Sequence, residues 1–149
     1  MGKFEKILVA TDFSDISERA FFQAVELAKE LGAGLYIVHI VQIQPASIPE
    51  NGIVNTDEMM AQEEQSANER LDKYIRDYGE GVEISKLVLH GEPAAQIIKV
   101  VKETGVDFVV MGTHGRTGIA HLLMGSVAES VFKNLEVPVM CVKGVQQSC

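Results

Sequence analysis

The chain begins its first regular element with the stretch Ile7-Leu8-Val9-Ala10, which continues into Thr11-Asp12-Phe13-Ser14. Four successive apolar residues predict a β-strand that is buried on both faces, as in a parallel sheet. Ser14 and Asp15 can then cap a helix, because apolar residues recur after them at helical spacing until Gly32. A buried strand that turns directly into an amphipathic helix indicates an α/β domain.

The remainder of the chain repeats this alternation of strand and helix. Four further strands are predicted at 35–41, 82–89, 106–111 and 137–142, and helices are predicted to begin at Thr56, Pro93 and Ser126. The order βαβαβαβαβ predicts a parallel sheet with helices on both faces. The chain shows neither an internal repeat nor a linker, so we expect one domain over residues 1–149. Pro138 favours an edge position for the fifth strand, because proline cannot donate to a central ladder.

The composition excludes several classes of function. The 149 residues suffice for one domain with a substantial core, and 13 basic against 21 acidic residues give a net charge of −8. So acidic a chain is a poor candidate for binding nucleic acid or an anionic membrane surface. The sequence offers neither a signal peptide nor an apolar run long enough to span a bilayer, so we expect a cytoplasmic protein.

One glycine-rich segment carries the strongest chemical signal. Gly112-Thr-His114-Gly115-Arg116 follows a predicted buried strand, and Gly125-Ser126 opens the next helix. Glycines allow a backbone to approach an anion closely, and the N-terminus of a helix can hold a phosphate. No Asp or Glu occurs from Gly112 through Ala128, although the chain as a whole is acidic. This segment therefore predicts an anion site.

The common nucleotide and hydrolase motifs do not fit this segment. The chain contains no Gly-Lys-Ser or Gly-Lys-Thr of a P-loop, and no GxGxxG follows its first strand. Ser126 does not lie in a GxSxG turn, and His114 and His121 lack a third metal ligand. We therefore predict neither a catalytic residue nor a metal ligand.

The spacing of Gly112, Gly115 and Gly125-Ser126 resembles the ATP-binding signature of the universal stress protein family. The opening stretch 7–14, the segment 35–41 with His39, and Val137-Pro138-Val139 resemble the first, second and last strands of that family. The resemblance covers nearly the whole chain. It implies a Rossmann-like five-stranded parallel sheet in the order 3-2-1-4-5, and a homodimer that pairs through the strand at 137–142.

The resemblance also implies which residues bind a nucleotide at the switch point between strands 1 and 4, and it makes ATP the expected ligand, with Mg²⁺ left open. Ala10, Thr11 and Asp12 would flank the adenine and ribose, and Ile40 would contact the adenine. On the other side the expected residues are Met111 and Gly112 at the ribose, with His114, Gly115, Arg116, Gly125, Ser126 and Val127 toward the phosphates.

These observations favour an ATP-binding regulatory or stress-response protein that hydrolyses ATP slowly or not at all. Two alternatives stay open at this point. A nucleotide-independent chaperone or interaction module would work through the dimer edge and the loop at 42–55. An adenylating enzyme of related fold would need a glycine- and serine-rich loop after strand 1, where Thr11-Asp12-Phe13-Ser14 stands instead.

Overall fold

The computed structural model describes residues 4–42, 56–113 and 125–143. Strands and helices alternate through these residues. The elements in chain order are β1 (Lys6–Ala10), α1 (Asp15–Leu31), β2 (Gly34–Val41), α2 (Thr56–Tyr78), β3 (Ile84–His90), α3 (Pro93–Thr104), β4 (Phe108–Gly112), α4 (Ser126–Asn134) and β5 (Val139–Val142).

All five strands form one parallel sheet in the order β3-β2-β1-β4-β5. Central β1 pairs on one side with β2, where Leu8 lies opposite Tyr36, and on the other side with β4, where Leu8 lies opposite Val109. The predicted five-stranded sheet and its order are confirmed. The chain leaves β1 toward β2 and later returns to its other side at β4, so the winding direction reverses between β1 and β4.

The two faces of the sheet are covered by different pairs of helices. Ile7 and Val9 pack into a core with Phe21 of α1 and Leu71 of α2. Leu8 points to the opposite face, where the core includes residues of α3 and α4. Ile7, Leu8 and Val9 are each 0% exposed. This burial explains why the first strand is continuously apolar instead of alternating.

Three strands begin later than the sequence predicts, and each late start has a physical cause. The predicted strand at 137–142 begins at Val139 because Pro138 has no N–H, although its carbonyl accepts from Val109 N at 3.0 Å. The predicted start at 106 moves to Phe108 because the Asp107 carboxylate turns back to accept from the amides of Glu5 and Lys6. Val82 N donates to Gly79 O in a turn, so β3 begins only at Ile84.

Helix boundaries follow their capping residues. Ser14 is the N-cap of α1, and Gly32 ends that helix in the left-handed conformation with φ 64°. α4 covers Ser126–Asn134, the range that the sequence predicts. In the described residues, no helix is both long enough and apolar enough to cross a membrane.

Candidate functional site

The candidate site lies at the carboxyl edge of the sheet, where β1 and β4 end side by side. Val9 of β1 lies opposite Val110 of β4, so the two strands end at Ala10 and Gly112 on the same edge. In open α/β sheets, the connections that leave neighbouring strands in opposite directions open a crevice at such a switch point. The residues predicted from both strand ends therefore lie at one switch point, where a crevice is expected.

One wall of the crevice is the turn between β1 and α1. Thr11 is buried, and its N–H donates to Val38 O at 2.9 Å, while its hydroxyl accepts from Phe13 N at 3.0 Å and lies 3.0 Å from the Ser17 hydroxyl. The half-buried Asp12 accepts from Ser14 N through Oδ1 at 3.0 Å. The side chain of Thr11 is thus committed to the turn itself, and that of Asp12 is oriented by it.

Ser14 completes this wall by capping α1. Its hydroxyl oxygen accepts from Ser17 N at 3.3 Å, and its carbonyl accepts from Glu18 N at 2.9 Å. The first turn of α1 also carries Asp15 and Glu18, which suit the positive end of the helix dipole. This helix start is therefore satisfied by its own chain.

Phe13 has an unusual backbone for its residue type. Its φ of 65° makes it the one residue other than glycine with positive φ in the described part of the chain. Its ring centroid lies 4.5 Å from that of His39 and 5.8 Å from that of Tyr74, and the guanidinium carbon of Arg70 lies 4.1 Å from it. Two of these partners belong to α2, so α2 packs against the turn that presents Asp12.

The end of β2 supports the same wall. The Nδ1–H of His39 donates to Thr11 O at 2.8 Å, which makes His39 a structural tie between β2 and the turn. The apolar run around His39 favours a core histidine over a ligand, and this bond gives it a structural role. Ile40 is partly buried and packs against the second core, together with Ala10 and Val127.

The other wall is formed by the end of β4 and the start of α4. Met111 is only 4% exposed, so its side chain belongs to the core and only its backbone can face a ligand. Thr113 follows Gly112 and ties the wall together: its N–H donates to Val142 O at 2.9 Å, and its carbonyl accepts from Gly125 N. These bonds bring the first and last glycines of the predicted loop to the same edge.

The N-terminus of α4 differs from those of α1 and α3. Gly125 is its N-cap, with φ −72° and ψ 167°, and among residues 4–42, 56–113 and 125–143 no side chain caps the helix. Any residue adopts this backbone conformation, so the chain geometry does not require glycine here. The one acidic residue of the first turn, Glu129, is paired with Lys133 at 2.9 Å. Gly125 therefore supplies no side chain to the amides of the first turn.

Charged groups of the turn and of α1 act on Tyr74, which belongs to α2. The pKa of Tyr74 is raised, first by burial and then by the negative charge of Glu18, with smaller contributions from Asp12 and Asp15, while Arg70 lowers it. Several acidic groups thus surround Tyr74, and Arg70 is the cation that offsets them. In the described ranges, no group of three or more His, Cys, Asp or Glu side chains could hold a metal ion.

Most of the predicted site residues can be placed, and three cannot. Ala10, Thr11, Asp12, Ile40, Met111, Gly112, Gly125, Ser126 and Val127 all lie at the carboxyl edge. His114, Gly115 and Arg116 lie outside the described residues. The roles of Phe13, Arg70 and Thr113 were not predicted from the sequence. The apolar spacing of α2 places Tyr74 on the inward face of that helix, but it gives no reason to expect Arg70 at the site.

Together, these elements define a single-domain, doubly wound α/β protein with a candidate ligand site at the switch point between β1 and β4. A family model described as the universal stress protein family matches residues 3–143. The chain belongs to the universal stress protein family, as its sequence motifs suggested.

Relatives and solved structures agree with this assignment. The chain is 37% identical over 142 residues to Universal stress protein MJ0531 of Methanocaldococcus jannaschii, covering 94% of this chain and 82% of that protein. The solved structure of protein MJ0577 from the same organism superposes with a TM-score of 0.81 at 26% identity, covering 98% of this chain and all of that one. A universal stress protein from Archaeoglobus fulgidus, solved in complex with dAMP, has a TM-score of 0.60 at 26% identity, covering 95% of this chain and 100% of that one.

Proposed function

We propose that this chain is an adenine-nucleotide-binding regulatory protein, with ATP as its ligand. The observation that carries the proposal is the α4 N-terminus, which begins at a glycine that its backbone does not require and which no side chain of the described residues caps. An uncapped helix start presents backbone N–H groups and the positive end of a dipole to an anion. The dAMP bound by the Archaeoglobus fulgidus relative supports an adenine nucleotide as the source of that anion.

The two walls take different parts of the nucleotide. Asp12, together with the backbone of Ala10 and Thr11, flanks the adenine and ribose, and Ile40 contacts the adenine. Met111 and Gly112 offer backbone atoms on the ribose side. The amides of Gly125, Ser126 and Val127 receive the phosphates, and His114, Gly115 and Arg116 of the intervening loop add donors and positive charge. Mg²⁺ enters this arrangement with the phosphates of ATP.

The bound nucleotide acts as a regulatory ligand. Phosphoryl-transfer sites place a general base or a water-positioning residue beside the phosphates. The motifs of this chain provide neither, so we expect turnover far below the roughly 1–100 per second that is typical of kinases. A phosphate-release assay on the purified protein checks this expectation, and turnover within that range would contradict it.

We extend the proposal to a homodimer in the cytoplasm that pairs through the strand at 137–142. β5 lies at the end of the sheet, and Met140 of β5 and Phe132 of the adjacent α4 are 36% and 57% exposed. An edge strand with exposed apolar side chains beside it favours pairing with a second copy. The interaction-module alternative would use this same surface, but nothing in the described crevice favours it over nucleotide binding.

The direct test is a calorimetric titration of the protein with Mg-ATP and with AMP. Gly125→Val adds a side chain at the N-cap of α4, where by this proposal the phosphates approach, and valine readily adopts a φ of −72°. We expect the parent to bind and Gly125→Val to lose binding by a factor of about 100 or more, since it removes several charge-assisted hydrogen bonds.

A matched control is Gly34→Val at the opposite edge of the sheet. Gly34 lies at the start of β2, and a Cβ there meets nothing closer than 3.9 Å. We expect this control to bind ATP as the parent does. A parent that binds neither ATP nor AMP, or a Gly125→Val variant that binds as tightly as the parent, would contradict the proposed function.

A further inference from the structure

We propose that Phe13 is a positioning residue for the nucleotide site, which fixes the Asp12 turn through the contacts of its aromatic ring. The inference rests on the proposed function, because it concerns how the turn is held ready for a nucleotide. Phe13 has no place in the glycine signature or among the residues expected to touch the ligand. Its role follows from its backbone conformation and from the side chains packed around it.

The backbone of Phe13 needs support from outside the turn. A φ of 65° places it in the left-handed region, which is unfavourable for a residue with a bulky side chain. Glycine adopts this conformation freely, but phenylalanine stands here. Such a residue keeps a left-handed conformation only when the surrounding structure holds it there. The conformation of the turn therefore depends on contacts with residues outside the turn.

Those contacts come from β2 and α2. The His39 ring lies on one side of Phe13, with 4.5 Å between centroids and an interplanar angle of 37°. Tyr74 meets it edge-on at 5.8 Å and 74°, and the guanidinium of Arg70 lies over the ring at 4.1 Å. A cation over an aromatic face is attracted to it. Three side chains from two elements thus hold one ring.

The held ring in turn fixes the orientation of Asp12. The N–H of Phe13 donates to the Thr11 hydroxyl and the N–H of Ser14 donates to Asp12 Oδ1, each at 3.0 Å. Rotation of Phe13 to a negative φ would turn the peptide that carries the Ser14 N–H away from Asp12. His39 secures the same turn a second time, because its Nδ1–H donates to Thr11 O at 2.8 Å. The ring contacts therefore keep Asp12 in one orientation.

The test compares Mg-ATP dissociation constants for Phe13→Ala, Phe13→Tyr and the parent. Phe13→Ala lacks the ring but still resists the left-handed conformation, so the competent turn is populated less often. We expect its dissociation constant to rise about tenfold, because apparent affinity falls in proportion to the competent fraction. Phe13→Tyr keeps the ring contacts and should stay within about twofold of the parent.

Phe22→Ala is the matched control for general destabilisation. Phe22 is also half-buried and also packs edge-on against an α2 tyrosine, Tyr78 at 4.5 Å, but no described contact joins it to the turn. We expect Phe22→Ala to lower the thermal midpoint of the protein without nucleotide and to leave the dissociation constant unchanged. If Phe13→Ala binds like the parent, or if Phe22→Ala weakens binding equally, the positioning role is overturned.

A double-mutant cycle shows whether Phe13 acts through Asp12. If it does, adding Phe13→Ala to Asp12→Asn should weaken binding by less than about twofold, whereas independent effects would multiply. Multiplied effects would overturn the inference and leave the proposed function intact. A parent that binds no nucleotide would overturn the proposed function, and the inference with it.

Discussion

The two walls of the crevice begin their helices in opposite ways. At the β1–α1 wall, Ser14 accepts from Ser17 N, and Asp12 accepts from Ser14 N. At the β4–α4 wall, Gly125 provides no side chain to accept from the amides that follow it. The side chain of its own N-cap residue caps the first helix, whereas the N-cap residue of the second has no side chain. By our proposal, the β1–α1 wall orients the ligand and the β4–α4 wall receives its negative charge.

The start of α3 shows how an anion completes a helix in this same fold. The carboxylate of Glu92 accepts from Ala94 N at 3.1 Å through one oxygen and from Ala95 N at 2.7 Å through the other. A carboxylate from the chain therefore occupies the place at α3 that a phosphate would occupy at α4. The amides at a helix start therefore bind a carboxylate of the chain itself in α3 and, by our proposal, bind phosphate in α4.

Supplying α4 with an internal anion should produce the largest effect. In Gly125→Asp, the new carboxylate caps the first turn of α4 and repels phosphate. The parent should gain about 2.7 kcal/mol from Mg-ATP at 100 times its dissociation constant. For a chain of this size that corresponds to a rise of roughly 5–10 °C in the thermal midpoint.

We expect Gly125→Asp to lose this rise completely, while its midpoint without nucleotide stays the same or increases by about 1–2 °C, because aspartate is a better N-cap than glycine. Thermal unfolding with and without Mg-ATP measures both quantities. If Gly125→Asp kept the full rise in thermal midpoint with Mg-ATP, the proposal that the α4 amides bind the phosphates would be contradicted.

Removing the cap of α1 should have a smaller effect, on stability alone. Ser14→Ala deletes the oxygen that accepts from Ser17 N, which costs about 0.5–2 kcal/mol of unfolding free energy. The midpoint without nucleotide should fall, and the rise produced by saturating Mg-ATP should be unchanged. Ser14→Asn retains a capping oxygen and serves as the control. If Ser14→Ala abolished the ligand-induced rise, the β1–α1 wall would have a direct part in holding the phosphates.

The smallest expected effect is on stability at alkaline pH, and it concerns the acidic groups around Tyr74 beside the Asp12 turn. Burial and the charge of Glu18 raise the pKa of Tyr74 above its ordinary value of 10.0, so the folded state holds the phenol proton more tightly than the unfolded state. This contribution to stability is complete below pH 10.0 and is lost as the pH rises through the folded pKa.

Tyr74→Phe removes the titrating group, so its free energy of unfolding should fall less than that of the parent as the pH rises above 10.0. Urea unfolding at a series of pH values gives the two curves. Parallel curves for Tyr74→Phe and the parent would contradict the assigned surroundings of Tyr74.

Local sequence signals are sufficient to predict the elements whose backbone hydrogen bonds depend on neighbouring residues of the chain. The parallel sheet follows from the alternation of buried runs and periodic segments, whereas its strand order was implied by the family resemblance. α4 begins at Ser126 as predicted. β5 begins late for a reason that is also local: Pro138 lacks the N–H that would extend the ladder.

The conformation of Phe13 could not be predicted in this way. Nothing in the residue type favours a positive φ, and the side chains that hold it, Tyr74 and Arg70, come from α2. Sequence periodicity shows which side of a helix faces inward, but not which loop it meets there. That part of the site is a product of tertiary packing.

By our proposal, the first-turn amides of α4 receive the phosphates and those of α1 do not. The most direct measurement is amide chemical-shift perturbation by nuclear magnetic resonance on the ¹⁵N-labelled protein, titrated with Mg-ATP. We predict large, saturable shifts at Ser126, Val127 and Ala128, and much smaller ones at Ser17 and Glu18. Shifts confined to α1, or no saturable shift at the start of α4, would contradict the account.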